Sequence, residues 1–355
     1  MENNILVKLE NVSKSFGKVE VIKNISLDIY KGEFLTLLGP SGCGKTTILR
    51  MISGLDDVTK GKVYIDNKDV TNVDATKREV NTIFQNLALF PKMTVKENIG
   101  FGLKMKKVDK NEIEKRVADV IKLVKLNGFE NRYPSELSGG QQQRVAIARS
   151  IIMNPKVLLL DESLCSLDLK LKKSMQIELK RLNKRLGITF IYVTHAQDEA
   201  LSMSDRIAII NKGVIEQLDT PSNIYKNPKT IFVADFIGEA NIINAKVLEV
   251  NDGKMKVSML QNHIIEINNT DNFSVGDDLK LVIRPEDVKI SKSELINSIE
   301  GIICDTTYSG DSTKLLVDIP GRIDIKVSIN DDTKFNDNDK VYIKFDTNTV
   351  IPLRK

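Results

Sequence analysis

Residues 39–46 read Gly-Pro-Ser-Gly-Cys-Gly-Lys-Thr and match the pattern G-x-x-x-x-G-K-[ST]. A strand-like apolar run, 33–38, precedes this segment, and a helix-like run, 46–52, follows it. A strand, a glycine-rich turn and a helix in this order point backbone amides and a helix N-terminus at an anion. The segment therefore predicts an α/β fold in which this loop wraps around the phosphates of a nucleotide.

The residues of this loop have separate expected roles. The glycines let the backbone fold closely around phosphates, Lys45 should reach the β- and γ-phosphates of ATP, and the Thr46 hydroxyl should bind Mg²⁺. Cys43 replaces a small residue and is not needed chemically, although its alkylation should block ATP by steric bulk. A chance glycine-rich turn is the alternative, and the flanking strand and helix argue against it. The predicted nucleotide-binding residues here are Gly39, Pro40, Ser41, Gly42, Cys43, Gly44, Lys45, Thr46 and Thr47.

Two adjacent acids, Asp161 and Glu162, follow the apolar run 157–160. Because ligands of a parallel sheet bind beyond the carboxyl ends of its strands, both acids should lie beside the phosphate loop. We expect Asp161 to hold Mg²⁺ through water and Glu162 to polarise the water that attacks the γ-phosphate. Two inert, solvated acids at a strand end are the alternative, which a neighbouring phosphate loop makes weaker.

Length and composition are those of an ordinary folded protein. The chain has 355 residues, enough for about two domains, with 41% hydrophobic and 28% charged residues. Its net charge of +4 is too small to indicate nucleic acid, and no apolar run approaches the roughly 20 residues that cross a bilayer. The three cysteines form no C-x-x-C pair and suit a reducing cytosol. If the chain serves a membrane, we expect it to do so peripherally.

The character of the sequence changes near residue 238. Residues 1–237 alternate strand-like and helix-like runs, as in an α/β domain with a mostly parallel sheet. Apolar residues at helical spacing predict helices at 111–124 and 171–186, the second ending at Gly187, and we expect a helical subdomain at about 86–155. Residues 238–355 hold short β-rich runs broken by Asn, Asp and Gly, which indicates a small all-β barrel or sandwich. Strand clusters on both sides of 291–298 predict two related lobes in this tail.

A second turn with anion-binding character reads Leu137-Ser138-Gly139-Gly140-Gln141. It opens a helix-like run, so free amides, the Ser138 hydroxyl and the helix dipole would face one point. A single phosphate-loop domain does not need such a site, whereas two copies arranged head to tail would, each lending it to the other's ATP. We therefore expect Ser138, Gly139, Gly140 and Gln141 to bind nucleotide across a dimer.

With these motifs in this order and spacing, the chain resembles an ABC transporter ATPase over essentially its whole length. The resemblance implies an α/β P-loop NTPase fold with a helical subdomain, ATP and Mg²⁺ as ligands, and two ATP molecules sandwiched between opposite subunits. It implies that Gln85 senses Mg²⁺ and water and couples to membrane subunits, and that His195 contacts the γ-phosphate. Ser166, Leu167 and Asp168 resemble the loop that crosses the dimer interface. A structural histidine at a strand end is the alternative for His195.

Phe16, in Lys14-Ser15-Phe16-Gly17, fits the position of the aromatic residue that stacks on adenine. Such stacking tolerates any base, so it would orient the nucleotide more than select it. A phenylalanine buried in the core is the alternative. His263 lies in the β-rich tail without a motif, and we expect it to be structural.

The tail and one position of the ATPase domain narrow the resemblance to importers. Residues 281–288, Leu-Val-Ile-Arg-Pro-Glu-Asp-Val, and 308–311, Tyr-Ser-Gly-Asp, resemble segments of the OB-fold-like TOBE domain on importer ATPases for sugars, polyamines, sulfate or iron. Ser163 stands where most relatives have proline, and polyamine importers share that serine. Two departures are Ala196, in place of an aspartate, and Cys165-Ser166, in place of Ser-Ala. The tail is expected to support the dimer rather than to bind a regulatory ligand.

The resemblance implies an ATPase subunit that drives uptake of polyamines (spermidine or putrescine), with another solute as the alternative. Expected partners are a second copy, two integral membrane permease subunits and an extracellular or periplasmic solute-binding protein, without nucleic acid. The expected location is the cytoplasmic side of the cell membrane. A soluble ABC protein acting on ribosomes or DNA competes with this interpretation, but such proteins usually carry two ATPase domains or a long coiled-coil insertion. A GTP-driven switch would need an Asn-Lys-x-Asp segment, which the sequence lacks.

Overall fold

The computed structural model describes residues 4–164, 167–260, 263–310, 312–330 and 334–354. It divides into two compact units, Met1–Ser222 and Asn223–Lys355. Cys165, Ser166 and Asp311, which the sequence interpretation uses, lie outside the described residues. Among the helices in the described part of the chain, none is both long and apolar enough to cross a membrane.

Two sheets and a set of helices build the first unit. Its strands are β1 (Ile5–Phe16), β2 (Val19–Tyr30), β3 (Phe34–Leu38), β4 (Lys60–Ile65), β5 (Lys68–Asp69), β6 (Val80–Ile83), β7 (Val157–Asp161), β8 (Thr189–Thr194), β9 (Arg206–Asn211) and β10 (Val214–Asp219). Its helices are α1 (Lys45–Ser53), α2 (Val95–Met105), α3 (Lys110–Leu123), α4 (Gly139–Ile151), α5 (Leu169–Leu186) and α6 (Gln197–Met203). Helices connect the parallel strands β3, β6, β7, β8 and β9, which confirms the predicted α/β class.

A six-stranded sheet carries the candidate site. Its order is β10-β9-β3-β8-β7-β6, with β9, β3, β8, β7 and β6 parallel and β10 antiparallel at one edge. Every residue of β3 and β8 is buried, as expected for parallel strands covered on both faces. In the register of the sheet, Leu38 pairs with Thr194 and Asp161 pairs with Val193. The loops that follow β3, β7 and β8 therefore all begin at the carboxyl end of the parallel strands.

A second, antiparallel sheet with the order β2-β1-β4-β5 was not predicted from the sequence. Its strands β1 and β2 are 12 residues long and pair through several register shifts. The apolar face of this sheet shares one core with α1 and one side of the parallel sheet; Leu9, Ile22, Leu35 and Ile48 belong to it, each 0% exposed. β1 ends at Phe16, so this sheet determines where that residue lies.

Three helices, α2, α3 and α4, form a separate layer between β6 and β7 in the chain. Thr94 and Glu97 build a capping box at the start of α2, which satisfies backbone amides that the first turn leaves free. The predicted apolar face of α3 packs inward, with Val117 7% and Ile121 2% exposed. The same core continues to Val145 of α4 and to Leu160 of β7. These helices account for the sequence's helical subdomain.

The second unit is almost entirely β-structure. Its strands are β11 (Asn241–Asn251), β12 (Lys254–Met259), β13 (His263–Asn268), β14 (Asp278–Ile283), β15 (Val288–Ser291), β16 (Ile299–Tyr308), β17 (Thr313–Ile319), β18 (Ile323–Ile329), β19 (Lys340–Phe345) and β20 (Ile351–Arg354). They form two five-stranded sheets, β13-β12-β11-β14-β20 and β15-β19-β16-β17-β18. The all-β class predicted for the tail is confirmed.

The two sheets of this unit share one hydrophobic core. Val257 and Leu281 of the first sheet and Val317 and Ile343 of the second belong to the same buried cluster, each 0% exposed. The prediction of two related lobes on either side of 291–298 is therefore wrong. Each sheet has one apolar face, and burying that face against the other sheet removes more apolar surface from water than two separate lobes would.

Two short helices, α7 (Pro221–Lys226) and α8 (Ile231–Phe236), lie where the units meet in the chain. The sequence interpretation put them in the first domain, whereas the compact units divide at Ser222. Arg284, only 3% exposed, explains the difference. Its guanidinium donates to the carbonyls of Tyr225, Ala234 and Glu239 at 3.0 Å each, which fastens α7 and α8 to the second unit.

Candidate nucleotide-binding site

The phosphate loop leaves β3 at Gly39 and enters α1 at Lys45. A Cβ on Gly39 would lie 2.1 Å from the carbonyl oxygen of Ile210. Gly44 has a φ of 109°, and a Cβ there would lie 2.4 Å from Cδ1 of Ile22. The loop is thus pressed against β9 and β2 at positions that only glycine fits, which keeps its backbone close to the centre of the site.

Lys45 lies inside this loop and is 5% exposed. Its Nζ donates to the carbonyl oxygens of Gly39 and Pro40 at 2.8 Å each. These bonds hold the ammonium group within the ring of the loop, at the N-terminus of α1. Positive charge, amides and helix dipole then act on the same point, which is the arrangement that binds phosphate.

Thr46 and Asp161 join the loop to the end of β7. The Thr46 hydroxyl donates to Oδ1 of Asp161 at 3.0 Å. Burial raises the pKa of the Asp161 carboxyl, the Thr46 hydrogen bond opposes that rise, and the neighbouring Glu162 adds to it. Among the described residues, no group of three or more His, Cys, Asp or Glu could hold a metal alone. One hydroxyl and one carboxylate oxygen fit Mg²⁺ bound together with phosphates and water.

Glu162 is the meeting point of two other predicted residues. Nε2 of Gln85 lies 3.5 Å from its Oε2, and Nδ1 of His195 lies 3.5 Å from its Oε1. Glu162 itself has a φ of 44°, a left-handed backbone that residues with a Cβ seldom adopt. Its amide donates to the Val193 carbonyl at 3.0 Å, which fixes that turn. The three side chains thus gather at the carboxyl end of the parallel sheet.

The turn at Ser138 has the predicted helix-opening geometry. Ser138 is the N-cap of α4, and its side chain and that of Gln141 form a capping box. Gly140 is buried against α5, where a Cβ would lie 2.7 Å from Cδ1 of Leu171. Ser138 and Gly139 are exposed. The structure leaves the hydroxyl side of this turn at the surface and places it on a helix of the α2–α4 layer.

Phe16 and Asp168 complete the predicted set. Phe16 is 50% exposed, so the core alternative for this residue is wrong, and Nζ of Lys14 lies 4.8 Å from its ring centroid. Asp168 caps α5 by accepting a hydrogen bond of 3.0 Å from the Leu171 amide. The Ser166 part of the expected interface loop lies outside the described residues.

Sequence reasoning missed a buried polar cluster behind His195. Glu199 of α6 is 0% exposed and accepts hydrogen bonds from the hydroxyls of Tyr192 and Thr194, while Nζ of Lys172 lies 2.6 Å from its Oε1. The Thr194 oxygen in turn accepts from the Ala196 amide at 3.0 Å, so the cluster braces the turn that carries His195. Because glutamates are mostly exposed, the sequence gives no sign that this one is buried.

Comparison with known proteins gives two family matches and many relatives. A family model described as ABC transporter matches residues 22–164, and one described as TOBE domain matches residues 281–353. The spermidine/putrescine import ATP-binding protein PotA of Aliivibrio fischeri is 49% identical over 329 residues, 92% of this chain and 88% of that protein. PotA of Clostridium novyi is 49% identical over 315 residues, 88% of each chain.

Solved structures resemble the first part of the chain. The ATP-binding cassette MJ0796, a dimer bound to ADP and Pi in a post-hydrolysis state, aligns with a TM-score of 0.55 at 36% identity. The alignment covers 61% of this chain and 99% of that one. CbiO1 from Clostridium perfringens, part of the ABC transporter complex cbiONQ, aligns with a TM-score of 0.58 at 28% identity, covering 62% and 90%.

The buried parallel strand, the glycine loop with its lysine, and the Thr46–Asp161 pair define a P-loop nucleotide-binding protein. The relatives and family models then identify the family. The chain belongs to the ABC transporter family, as an ATP-binding subunit with a C-terminal TOBE domain, and proteins of this kind hydrolyse ATP.

Proposed function

We propose that this chain hydrolyses ATP as one of two copies in an importer and thereby drives uptake of polyamines such as spermidine and putrescine. The observation that carries the enzymatic part is the gathering of Gln85, Glu162 and His195 next to the Thr46–Asp161 pair. The polyamine cargo is proposed from the names of relatives that are 49% identical to this chain. Ser163 after the glutamate supports the same cargo.

In the proposed reaction each residue of the site has one task. The loop 39–46 binds the phosphates, with Lys45 at the β- and γ-phosphates, and Phe16 stacks on adenine. Thr46 and Asp161 would hold Mg²⁺, with Gln85 nearby, and the cation would neutralise charge that develops on the phosphate oxygens. Glu162 accepts a proton from the attacking water, and Gln85 and His195 orient the water and the γ-phosphate around it.

The dimer follows from the second anion-binding turn. We infer that Ser138, Gly139, Gly140 and Gln141 bind the γ-phosphate of the ATP that the partner copy holds, with Asp168 at the interface. The exposed face of this turn supports the inference, as does a dimeric relative of known structure. Because both copies then share each γ-phosphate, ATP binding closes the dimer and hydrolysis reopens it.

The importer would contain this dimer, two integral membrane permease subunits and an extracellular or periplasmic solute-binding protein. The chain would work as a peripheral protein on the cytoplasmic side of the cell membrane. The layer of α2, α3 and α4, which Gln85 precedes in the chain, is the surface that we expect to receive the permease. Cargo would pass through those partners and not through this chain.

Glu162→Gln tests the enzymatic proposal. We expect ATP hydrolysis to fall about 10²- to 10⁴-fold, because the amide cannot accept the proton, while ATP binding persists. The variant should then accumulate as an ATP-bound dimer, measured by light scattering or native mass spectrometry. Glu249→Gln, an exposed glutamate of the second unit, is the matched control and should hydrolyse ATP like the wild type. A Glu162→Gln monomer with full activity would refute the proposal.

Reconstitution tests the cargo. The chain would be co-purified with its membrane subunits, placed in lipid vesicles with the solute-binding protein, and assayed for ATPase activity with spermidine, putrescine, maltose, sulfate or ferric ion. Stimulation by the two polyamines alone supports the proposal. Stimulation by another solute would keep the importer and change the cargo, whereas co-purification with ribosomes instead of membrane subunits would remove the transport function.

A further inference from the structure

The backbone makes an unfavourable turn just after Gln85. Leu87 has a φ of 57° and Ala88 a φ of 46°, two consecutive left-handed residues that both carry a Cβ. Such a conformation persists only where surrounding groups hold it. The turn therefore needs an anchor, and the sequence around it offers no glycine to relieve the strain.

Arg149, near the end of α4, supplies that anchor. Its Nη2 donates to the Leu87 carbonyl and its Nη1 to the Ala88 carbonyl, at 2.7 Å each, and its guanidinium lies 5.3 Å from the ring centroid of Phe90. Burial lowers the pKa of Arg149, and no carboxylate of the described residues opposes that shift. The planar guanidinium thus binds the backbone of this turn rather than a carboxylate.

Asn98 of α2 anchors the following residues. It is 0% exposed, its Oδ1 accepts from the Phe90 amide at 2.8 Å, and its Nδ2 donates to the carbonyls of Phe90, Met93 and Thr94 at 3.0–3.1 Å. One amide side chain therefore makes four bonds to a single stretch of backbone. Together, Arg149 and Asn98 fasten residues 87–94 to α4 and α2.

The chain before Gln85 is fastened to a different body. Strand β6 pairs with β7 along its length and ends with Ile83 opposite Leu160. Between this strand and the anchored stretch lie only three residues, Phe84, Gln85 and Asn86, and all three are exposed. Along this connection, a movement of the helical layer relative to the sheet would act on Gln85, which contacts Glu162, and on its two neighbours.

We propose that Arg149 is a positioning residue which ties the turn after Gln85 to helix α4, so that Gln85 and Ser138, at the other end of α4, are displaced together. The proposal rests on the proposed role of Gln85 beside Glu162. Helix α4 runs from the Ser138 turn to Arg149 as one rigid element, since it is continuous and its core side is buried. A push on the helical layer then reaches the dimer-facing turn through α4 and the hydrolysis site through the Arg149 guanidinium.

Hydrogen exchange of the full chain tests how strongly Arg149 holds the turn after Gln85. In Arg149→Met the amides of 84–90 should exchange about tenfold faster or more, because two charge-assisted bonds to their backbone are gone. Arg149→Lys keeps the charge but loses the planar guanidinium that binds two carbonyls and lies against Phe90, so it should also exchange faster, by a smaller factor. Arg116→Met is the matched control: Arg116 of α3 likewise donates to a backbone carbonyl, that of Ile152, but not in this turn. It should leave 84–90 unchanged.

A second measurement separates positioning from general stability. If Arg149 acts through Gln85, Arg149→Met should raise the Mg²⁺ concentration for half-maximal hydrolysis, and adding it to Gln85→Ala should raise that concentration no further. A loss of folded protein would instead lower the maximal rate at an unchanged Mg²⁺ requirement. Additive effects of the two substitutions on the Mg²⁺ requirement would overturn the link to Gln85.

The two proposals can fail separately. Unchanged exchange at 84–90 in Arg149→Met, or equal loss of protection throughout the unit in Arg149→Met and Arg116→Met, overturns the proposal for Arg149 whatever Glu162→Gln shows. Fast exchange confined to 84–90, in a chain whose Glu162→Gln variant still hydrolyses ATP, would leave the tie in place and remove the proposed reaction.

Discussion

The Thr46 hydroxyl donates a 3.0 Å hydrogen bond to Asp161, which connects the first turn of α1 to the carboxyl end of β7. The two oxygen groups that we propose as Mg²⁺ ligands come from distant parts of the chain and lie side by side. The hydrogen bond also opposes the rise that burial causes in the pKa of Asp161. Loss of the hydroxyl should affect both cation binding and the ionisation of this carboxylate.

Thr46→Ala should therefore raise the Mg²⁺ concentration for half-maximal ATP hydrolysis about 10- to 100-fold. Thr46→Ser keeps the hydroxyl and should stay close to the wild type, which makes it the matched control. A magnesium titration of the hydrolysis rate, and of the binding of a fluorescent ATP analogue, would measure this. An alanine variant with the wild-type Mg²⁺ requirement would contradict the assignment of Thr46 as a ligand.

Gly39 and Gly42 of the phosphate loop should respond differently to alanine. A Cβ on Gly39 meets the Ile210 carbonyl oxygen at 2.1 Å, whereas nothing lies within 4 Å of a Cβ on Gly42, whose φ is 77°. We expect Gly39→Ala to cost about 2–3 kcal/mol of unfolding free energy by overpacking, and Gly42→Ala about 1 kcal/mol by backbone strain. Denaturant unfolding followed by circular dichroism tests the order. The reverse order would show that the loop relaxes away from β9.

Phe16→Ala should weaken ATP binding without unfolding the chain. The ring is half exposed, so little packing is lost, whereas stacking on a base contributes about 1–3 kcal/mol. That corresponds to a rise of about 5- to 150-fold in the half-saturating ATP concentration. GTP should be affected equally, because stacking tolerates any base. Tyr308→Ala, a 75% exposed aromatic residue of the second unit, serves as the control. Unchanged ATP affinity would remove Phe16 from the site.

Arg284→Met should loosen α7 and α8. The arginine is 3% exposed and donates to three backbone carbonyls, and its guanidinium lies 4.3 Å from the Tyr225 ring centroid. We expect a loss of about 3 kcal/mol. Arg354→Met is a matched control, because Arg354 also donates to backbone carbonyls and stacks on Phe273 but is 61% exposed. It should cost less than about 1 kcal/mol. Equal losses of stability in the two variants, measured by hydrogen exchange at 225–240, would contradict the role of Arg284 in holding α7 and α8.

Tyr225 gives the second unit an alkaline pH dependence. Burial, and a hydrogen bond of 2.6 Å to Glu286, raise the pKa of Tyr225 to about 12. An unfolded tyrosine loses its proton near pH 10, so the folded chain holds the proton longer and its stability falls as pH rises from about 10 to 12. The absorbance difference at 295 nm between wild type and Tyr225→Phe should therefore rise near pH 12. A rise near pH 10 would contradict this.

Sequence alone predicted the parts of the site whose residues are contiguous in the chain. The loop 39–46 and the pair Asp161–Glu162 were found because each motif is contiguous and because the order of strand and helix fixes which ends meet. The same is true of α3 and α5, whose apolar stripes have helical spacing, and α5 ends at Gly187, which has a φ of 64°. In these places pattern and packing agree.

The parts that sequence did not predict depend on burial and on distant contacts. Arginine and glutamate usually lie at the surface of a protein. Only the fold shows that Arg149, Arg284 and Glu199 are enclosed and hydrogen-bonded to backbone or hydroxyl groups. The short strands β15 and β20 gain their hydrogen bonds from β19 and β14, which are distant from them in the chain. The boundary predicted after residue 237 differs from the division of the compact units after Ser222. The three carbonyls that Arg284 binds in this region are contacts that local sequence pattern does not indicate.

Strand β20 pairs with β14, although the whole of the other sheet lies between them in the chain. One sheet of the second unit is therefore inserted into the connectivity of the other. Neither can be deleted, exchanged with a homologue or grafted onto another protein without opening the core that both enclose. In any exchange of domains, the two sheets therefore have to be transferred together as one folding unit.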